Sequence, residues 1–291
     1  MANEKLLHPS VATAFYGNFS QIYSVQDNII PYILNGENVV LSAGTGSGKT
    51  EAVMAPLVSR YFKRIIETDS LTILYIAPTK ALVNDLERRL YSNLRKLDFR
   101  VGIRHGDQDD MKLGMIPHIL ITTPESLDVM LFRGDKALER VHAIVLDEIH
   151  LIYNTQRGLH VSILLNRVKQ KLDHSLQWVA ISATIYNLAY IRDFFFGISE
   201  VAVFLENSTK REIDPQIRIL KSIDQLKELL IKIFASRYER GKFLIFANSR
   251  RECEQIATVL NEIESLSGLV CTHYSSLSVE MREEVESFFN S

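Results

Sequence analysis

The chain has little cysteine. Two residues, Cys253 and Cys271, stand among 291; they are too few for a disulfide framework and lack metal-ligand spacing. They read as reduced thiols of a cytoplasmic protein. Net charge is nearly absent too. Against 35 acidic side chains stand 33 basic ones, a balance of −2, so bulk charge gives no hold on a polyanion and any nucleic-acid binding must come from a local groove. No apolar run reaches the roughly 18 to 20 residues of a membrane span, and the N-terminus "MANEKLLHPS" lacks a signal-peptide core. Internal repeats and low-complexity segments are also missing.

What remains is an ordinary globular composition, 46% hydrophobic and 23% charged, enough for one large domain or two smaller ones. Apolar, β-branched runs recur: "NVVLSA", "LTILYIA", "HILITT", "AIVLD" and "QWVAISA". Near-continuous runs of this length suit parallel strands buried on both faces. Helical patterns such as "KALVNDLERRL" and "GLHVSILLNRVKQKL" lie between them, so the alternation predicts a doubly wound α/β domain over residues 1–205. The polar, proline-bearing "ENSTKREIDPQ" begins a linker assigned to 206–222. A second strand-helix alternation over 223–291 then offers "KFLIFAN" and "GLVCTHY" as strands and "RRECEQIATVLNEI" and "SVEMREEVESFF" as helices.

Chemistry enters at "AGTGSGKT", between the strand "NVVLSA" and the helical "KTEAVMAPLVSRYF". Ala43, Gly44, Thr45, Gly46, Ser47 and Gly48 sit at a strand-to-helix turn, where backbone N–H groups and the helix N-terminus favour phosphate. Lys49 is placed to reach the β/γ-phosphates, and the Thr50 hydroxyl to ligate Mg²⁺. Alanine at 43 replaces the first glycine of the commonest phosphate loop, a small change at a strand end. This pattern predicts a nucleoside triphosphate site. In "AIVLDEIHLI", Asp147 and Glu148 end an apolar strand. Asp147 is the candidate second Mg²⁺ ligand, and Glu148 the base that polarises the attacking water.

"DEIH" after "AGTGSGKT" resembles motif II of the superfamily 2 helicases, and further pieces fall in order. "APTKAL" (77–82) resembles motif Ia, "TTPESL" (122–127) motif Ib, "SAT" (182–184) motif III and "FLIFANSRRECEQIA" motif IV; "HYSSLSVEMREEVE" resembles the block that follows. "RHGD" (104–107), "ILITTPESLDVML" and the pair Arg157-Gly158 are similar to the Lhr-type (large helicase-related) and Ski-type branch, more than to the DEAD-box proteins.

The resemblance implies a RecA-like P-loop NTPase domain and the start of a second, using ATP and Mg²⁺ to translocate 3′ to 5′ on or unwind nucleic acid, with DNA favoured over RNA. It implies that Gln26 reads adenine, with Phe19 or Tyr23 a candidate for stacking on the ring. It implies that His150 links the nucleotide site to Ser182 and Thr184. It also places nucleic acid across the domain face opposite the sheet's helical flank, on loops carrying Pro78, Thr79, Lys80, Thr123, Pro124 and Arg250. Hydroxyls, helix N-termini and isolated cations hold phosphates without reading bases. No block like "QRxGRxGR" occurs before Ser291. The expectation is therefore a chain that binds ATP but hydrolyses it weakly unless the rest of the motor or a partner is present. A nucleotide-dependent clamp without unwinding is the alternative.

Overall fold

The computed structural model describes residues 3–44, 46–183, 187–207, 217–220, 222–237, 242–274 and 276–290. The chain divides into two compact units, Met1–Arg211 and Glu212–Ser291. Among the described residues, no helix is long and apolar enough to cross a membrane.

The first unit begins with helices α1 (Pro9–Tyr16) and α2 (Ser24–Leu34), then strand β1 (Val39–Ala43). There follow α3 (Lys49–Arg60), α4 (Phe62–Thr68), β2 (Ile73–Ile76), α5 (Lys80–Arg95), β3 (Val101–His105) and β4 (Gln108–Asp109). Next come β5 (Ile119–Thr122), α6 (Pro124–Phe132), β6 (Ala143–Leu146), α7 (Gln156–Lys171), β7 (Gln177–Ser182), α8 (Leu188–Phe195) and β8 (Val203–Asn207). The sheet order is β4-β3-β5-β2-β6-β7-β1-β8. Every neighbouring pair is parallel except β3 and β4.

All five strands expected from the apolar runs form, and they are buried along their whole length. The two-residue period of a strand divides their side chains between two layers. Val39, Leu41, Ile73, Tyr75, Val145 and Ile181 pack beneath α1 to α5, while Val40, Leu74, Ile76, Leu146 and Ala180 pack beneath α6 to α8. Helices thus cover both faces, and no face stands opposite a helical flank as expected for nucleic acid. The motif-bearing segments gather instead at one edge, where β1, β2, β5, β6 and β7 end and their loops begin. In an open α/β sheet this carboxyl edge is where ligands bind.

β8 takes in Glu206 and Asn207, the first two residues of the expected linker; most of the rest, 208–216 and 221, lies outside the described residues. The second unit contains α9 (Ile223–Arg237), α10 (Arg250–Asn261) and α11 (Val279–Asn290). Leu230, Leu260 and Leu266 form its small core. The structure corrects the two strands expected there: 242–248 and 268–274 carry no strand. A strand is defined by a regular hydrogen-bonded ladder with a neighbour, and among the described residues neither segment is assigned to one. Leu244 and Phe246 are accordingly exposed.

Candidate nucleotide and nucleic-acid site

The loop after β1 has the backbone a phosphate cradle needs. Gly46 and Gly48 stand at φ 72° and 73°, a left-handed conformation that side chains disfavour. At Gly48 a Cβ would also fall 2.5 Å from Gln26 Nε2. Ser47 Oγ donates to the Gly44 carbonyl at 2.8 Å, closing the turn. Thr45 lies outside the described residues. Helix α3 begins at Lys49, so its free N–H groups point into the loop.

Lys49 is buried, and its Nζ donates to the carbonyls of Ala43 at 3.0 Å and Ser182 at 3.4 Å. The same ammonium lies 3.7 Å from Glu148 Oε1. Gln26 is buried beside the loop: its Nε2 donates to Gly48 O at 3.4 Å, and its Oε1 accepts from Tyr23 N at 2.9 Å. Tyr23 and Phe19 are both exposed. The Tyr23 ring edge lies 3.2 Å from where a Gly48 Cβ would be, which puts it beside the cradle.

Asp147 and Glu148 differ sharply. Asp147 is buried, with Oδ2 accepting from Tyr75 Oη at 2.7 Å and Oδ1 from Glu148 N at 2.8 Å. Burial pushes its carboxyl up to about 6, and Glu148 adds to the rise against the Tyr75 hydrogen bond. Burial, then the Asp147 charge, holds Tyr75 well above the ordinary phenol value. Glu148 takes φ 45°, a strain of the kind found at functional sites, and its side chain remains 21% exposed. Its other oxygen, Oε2, is 3.2 Å from His150 Nδ1. That same nitrogen accepts from Ala183 N at 3.3 Å. One nitrogen thus meets both, accepting from Ala183 or donating to Glu148 according to which ring nitrogen carries the proton. Ser182 Oγ is fully buried and has no hydrogen-bond partner among the described residues. Thr184 lies outside them.

Folded Asp147 titrates near 6 against an ordinary value of 3.8. Its buried charge therefore costs nothing below that ordinary value, and the cost grows through the window and is complete above about pH 6. The full cost is about 2–3 kcal/mol. With Mg²⁺ withheld, Asp147→Asn should gain thermal stability over the wild type as pH rises from 4 to 7. Parallel melting curves across that range would expose the error.

Five of the expected nucleic-acid positions sit on the loops after β2 and β5. Thr79 and Thr123 cap α5 and α6, their hydroxyls accepting from Leu82 N at 3.3 Å and Ser126 N at 3.4 Å. Pro78, Thr123 and Pro124 are buried, whereas Thr79 and Lys80 are exposed. Lys80 is engaged by Asp107 at 2.8 Å. Arg250 begins α10 in the second unit, with its guanidinium 6.0 Å from the Tyr274 ring centroid.

The branch-specific residues also have local reasons. Arg104 is buried between Asp109 and Asp135, each at 3.4 Å. Arg157 grips both Glu125 oxygens, at 2.9 and 3.0 Å, tying α7 to the loop helix α6. Gly158 has no room for a Cβ, which would fall 2.2 Å from the Ile152 carbonyl oxygen. Sequence reasoning missed Tyr75, the one polar side chain in "ILYI".

The arrangement suits a nucleoside triphosphate with Mg²⁺. The glycine cradle is open at Gly44, Thr50 is buried in the first turn of α3, and Asp147 is held by the Tyr75 hydroxyl. Mg²⁺ needs only one or two protein oxygens besides phosphates and water.

Comparison with known proteins supports the use of ATP. The model of the DEAD/DEAH box helicase family matches residues 23–191. The ATP-dependent helicase Lhr-Core of Methanocaldococcus jannaschii is 31% identical over 97% of this chain and 36% of its own length. The Lhr-Core of Methanothermobacter thermautotrophicus is 32% identical with the same coverage. The Mycobacterium smegmatis helicase Lhr bound to ssDNA and AMP-PNP superposes with a TM-score of 0.81 at 26% identity, over 99% of this chain and 40% of that one. The chain therefore spans little more than a third of the curated relatives it matches.

Proposed function

The chain belongs to the DEAD/DEAH box helicase family, and we propose that it serves an ATP-dependent motor that moves along or unwinds nucleic acid. The observation that supports this best is the meeting of Lys49 and Glu148, 3.7 Å apart, where the phosphate loop and the DEIH segment face each other. ATP would lie in the glycine cradle with its phosphates at Lys49, and Thr50 and Asp147 would hold Mg²⁺, which supplies charge neutralisation at the phosphates. Glu148, at the solvent side of the pair, accepts a proton from the attacking water. His150 passes the state of that carboxylate to Ala183 and the "SAT" segment.

The first unit is read as the first motor domain, over residues 1–205, and residues 223–291 as the opening of the second, joined by a linker over 206–222. Nucleic acid would follow the carboxyl edge past Thr79, Lys80 and the N-terminus of α6; Arg250, in the second unit, is a separate candidate contact. DNA is favoured over RNA on the likeness to a helicase bound to ssDNA. The same reading places the protein in the cytoplasm, where Cys253 and Cys271 stay reduced.

Adenine reading by Gln26 makes a selective prediction. A glutamine paired to adenine is worth about 1–3 kcal/mol of base discrimination, so Gln26→Ala should narrow the preference for ATP over GTP about tenfold or more. Competition binding with the two nucleotides checks it, and an unchanged ratio assigns the base to other residues. The wider reading is tested by ATP hydrolysis in the complete polypeptide with single-stranded DNA or RNA added. Stimulation by DNA is expected. Binding of both ligands without stimulation would favour a clamp.

A further inference from the structure

We propose that Tyr75 is a positioning residue for the divalent-cation site: its hydroxyl holds the Asp147 carboxylate in register for one Mg²⁺ ion. This deepens the ATP·Mg²⁺ reading above and rests on it.

The register of the sheet creates the contact. β2 and β6 are parallel neighbours with Tyr75 opposite Val145. Asp147 lies two residues beyond Val145, so it returns to the same face as Tyr75. The phenol oxygen stands 2.7 Å from Asp147 Oδ2. Tyr75 is fully buried.

An ionised carboxylate only accepts, so Tyr75 donates to Asp147. That leaves lone pairs free on the Asp147 carboxylate, where each oxygen has room for a second partner. The Glu148 N–H fixes the other carboxylate oxygen at 2.8 Å, so Asp147 cannot rotate out of this arrangement without breaking two hydrogen bonds. A phenylalanine would fill the same volume in this apolar strand. What the hydroxyl adds is orientation of the cation ligand on the DEIH strand. Such outer partners of metal-binding carboxylates are commonly worth about 10- to 100-fold in metal affinity.

The test is Tyr75→Phe, read by titrating MgCl₂ into protein with a fluorescent, non-hydrolysable ATP analogue. The Mg²⁺ concentration at half-saturation should rise about 10- to 100-fold, with analogue affinity in EDTA unchanged. In an Asp147→Asn background the same substitution should add no further shift. A folded Tyr75→Phe protein, confirmed by its melting curve, that tracks the wild-type Mg²⁺ titration would overturn the assignment, as would a shift that persists undiminished beside Asp147→Asn. If Tyr75→Phe alone is too unstable to titrate, the double variant decides. There the buried charge is gone, and a Mg²⁺ response weaker than that of Asp147→Asn alone refutes the proposal. A wild type that binds the analogue equally with and without Mg²⁺ removes the Mg²⁺ reading itself and Tyr75 with it, an outcome distinct from failure of Tyr75 alone.

Discussion

Glu148→Gln lowers nucleic-acid-stimulated ATP hydrolysis by roughly 100- to 10,000-fold, the usual worth of general base catalysis, while ATP still binds. The division of labour between the two acids leads to this expectation. Asp147 is buried and has both oxygens engaged, which suits a cation ligand and not a base that must meet water. Glu148 keeps a fifth of its side chain exposed and stands on a strained backbone at φ 45°. Its two oxygens face Lys49 and His150. Glutamine preserves the shape and takes up no proton. Because Asp147 and Thr50 are untouched, the variant should stall in the ATP state and hold nucleic acid longer. Phosphate release and the dissociation rate of a labelled strand measure the two effects. Wild-type turnover would place the base elsewhere.

Lys49→Ala removes the cation of the cradle. The ammonium is buried, and its partners are two carbonyl oxygens and the more distant Glu148 carboxylate. Hydrogen bonds to charged groups are worth about 1.5–3 kcal/mol, so ATP affinity should fall roughly 10- to 150-fold, and turnover with it. The fold should survive, since the lysine's contacts are polar and lie at the loop. Calorimetric titration with ATP and a melting curve separate the two outcomes. An unchanged titration would end the phosphate-loop assignment.

The readable parts of the chain are those where local pattern and chemistry coincide. "NVVLSA" followed by "AGTGSGKT" contains its own strand, turn and helix start, and β1, the loop and α3 appear where the letters put them. β3 escaped because "VGIRH" mixes glycine, arginine and histidine in a strand. Its buried Arg104 is tolerated only through Asp109 and Asp135, partners that no window of sequence reveals. β8 escaped for a different reason. It is an edge strand paired on one side with β1, and its Glu206 and Asn207 look like linker. Tyr75 was hidden because its meaning depends on β2 and β6 being neighbours, a fact of topology. "KFLIFAN" shows the converse failure: its aliphatic and aromatic letters suit a strand, yet 242–248 carries none.

The motor claim itself is tested most directly by strand displacement with the complete polypeptide, on a duplex carrying a single-stranded 3′ tail. The account predicts release of the displaced strand with ATP and Mg²⁺, none with a non-hydrolysable analogue, and none from Glu148→Gln. ATP hydrolysis that proceeds without any strand displacement or movement would contradict it.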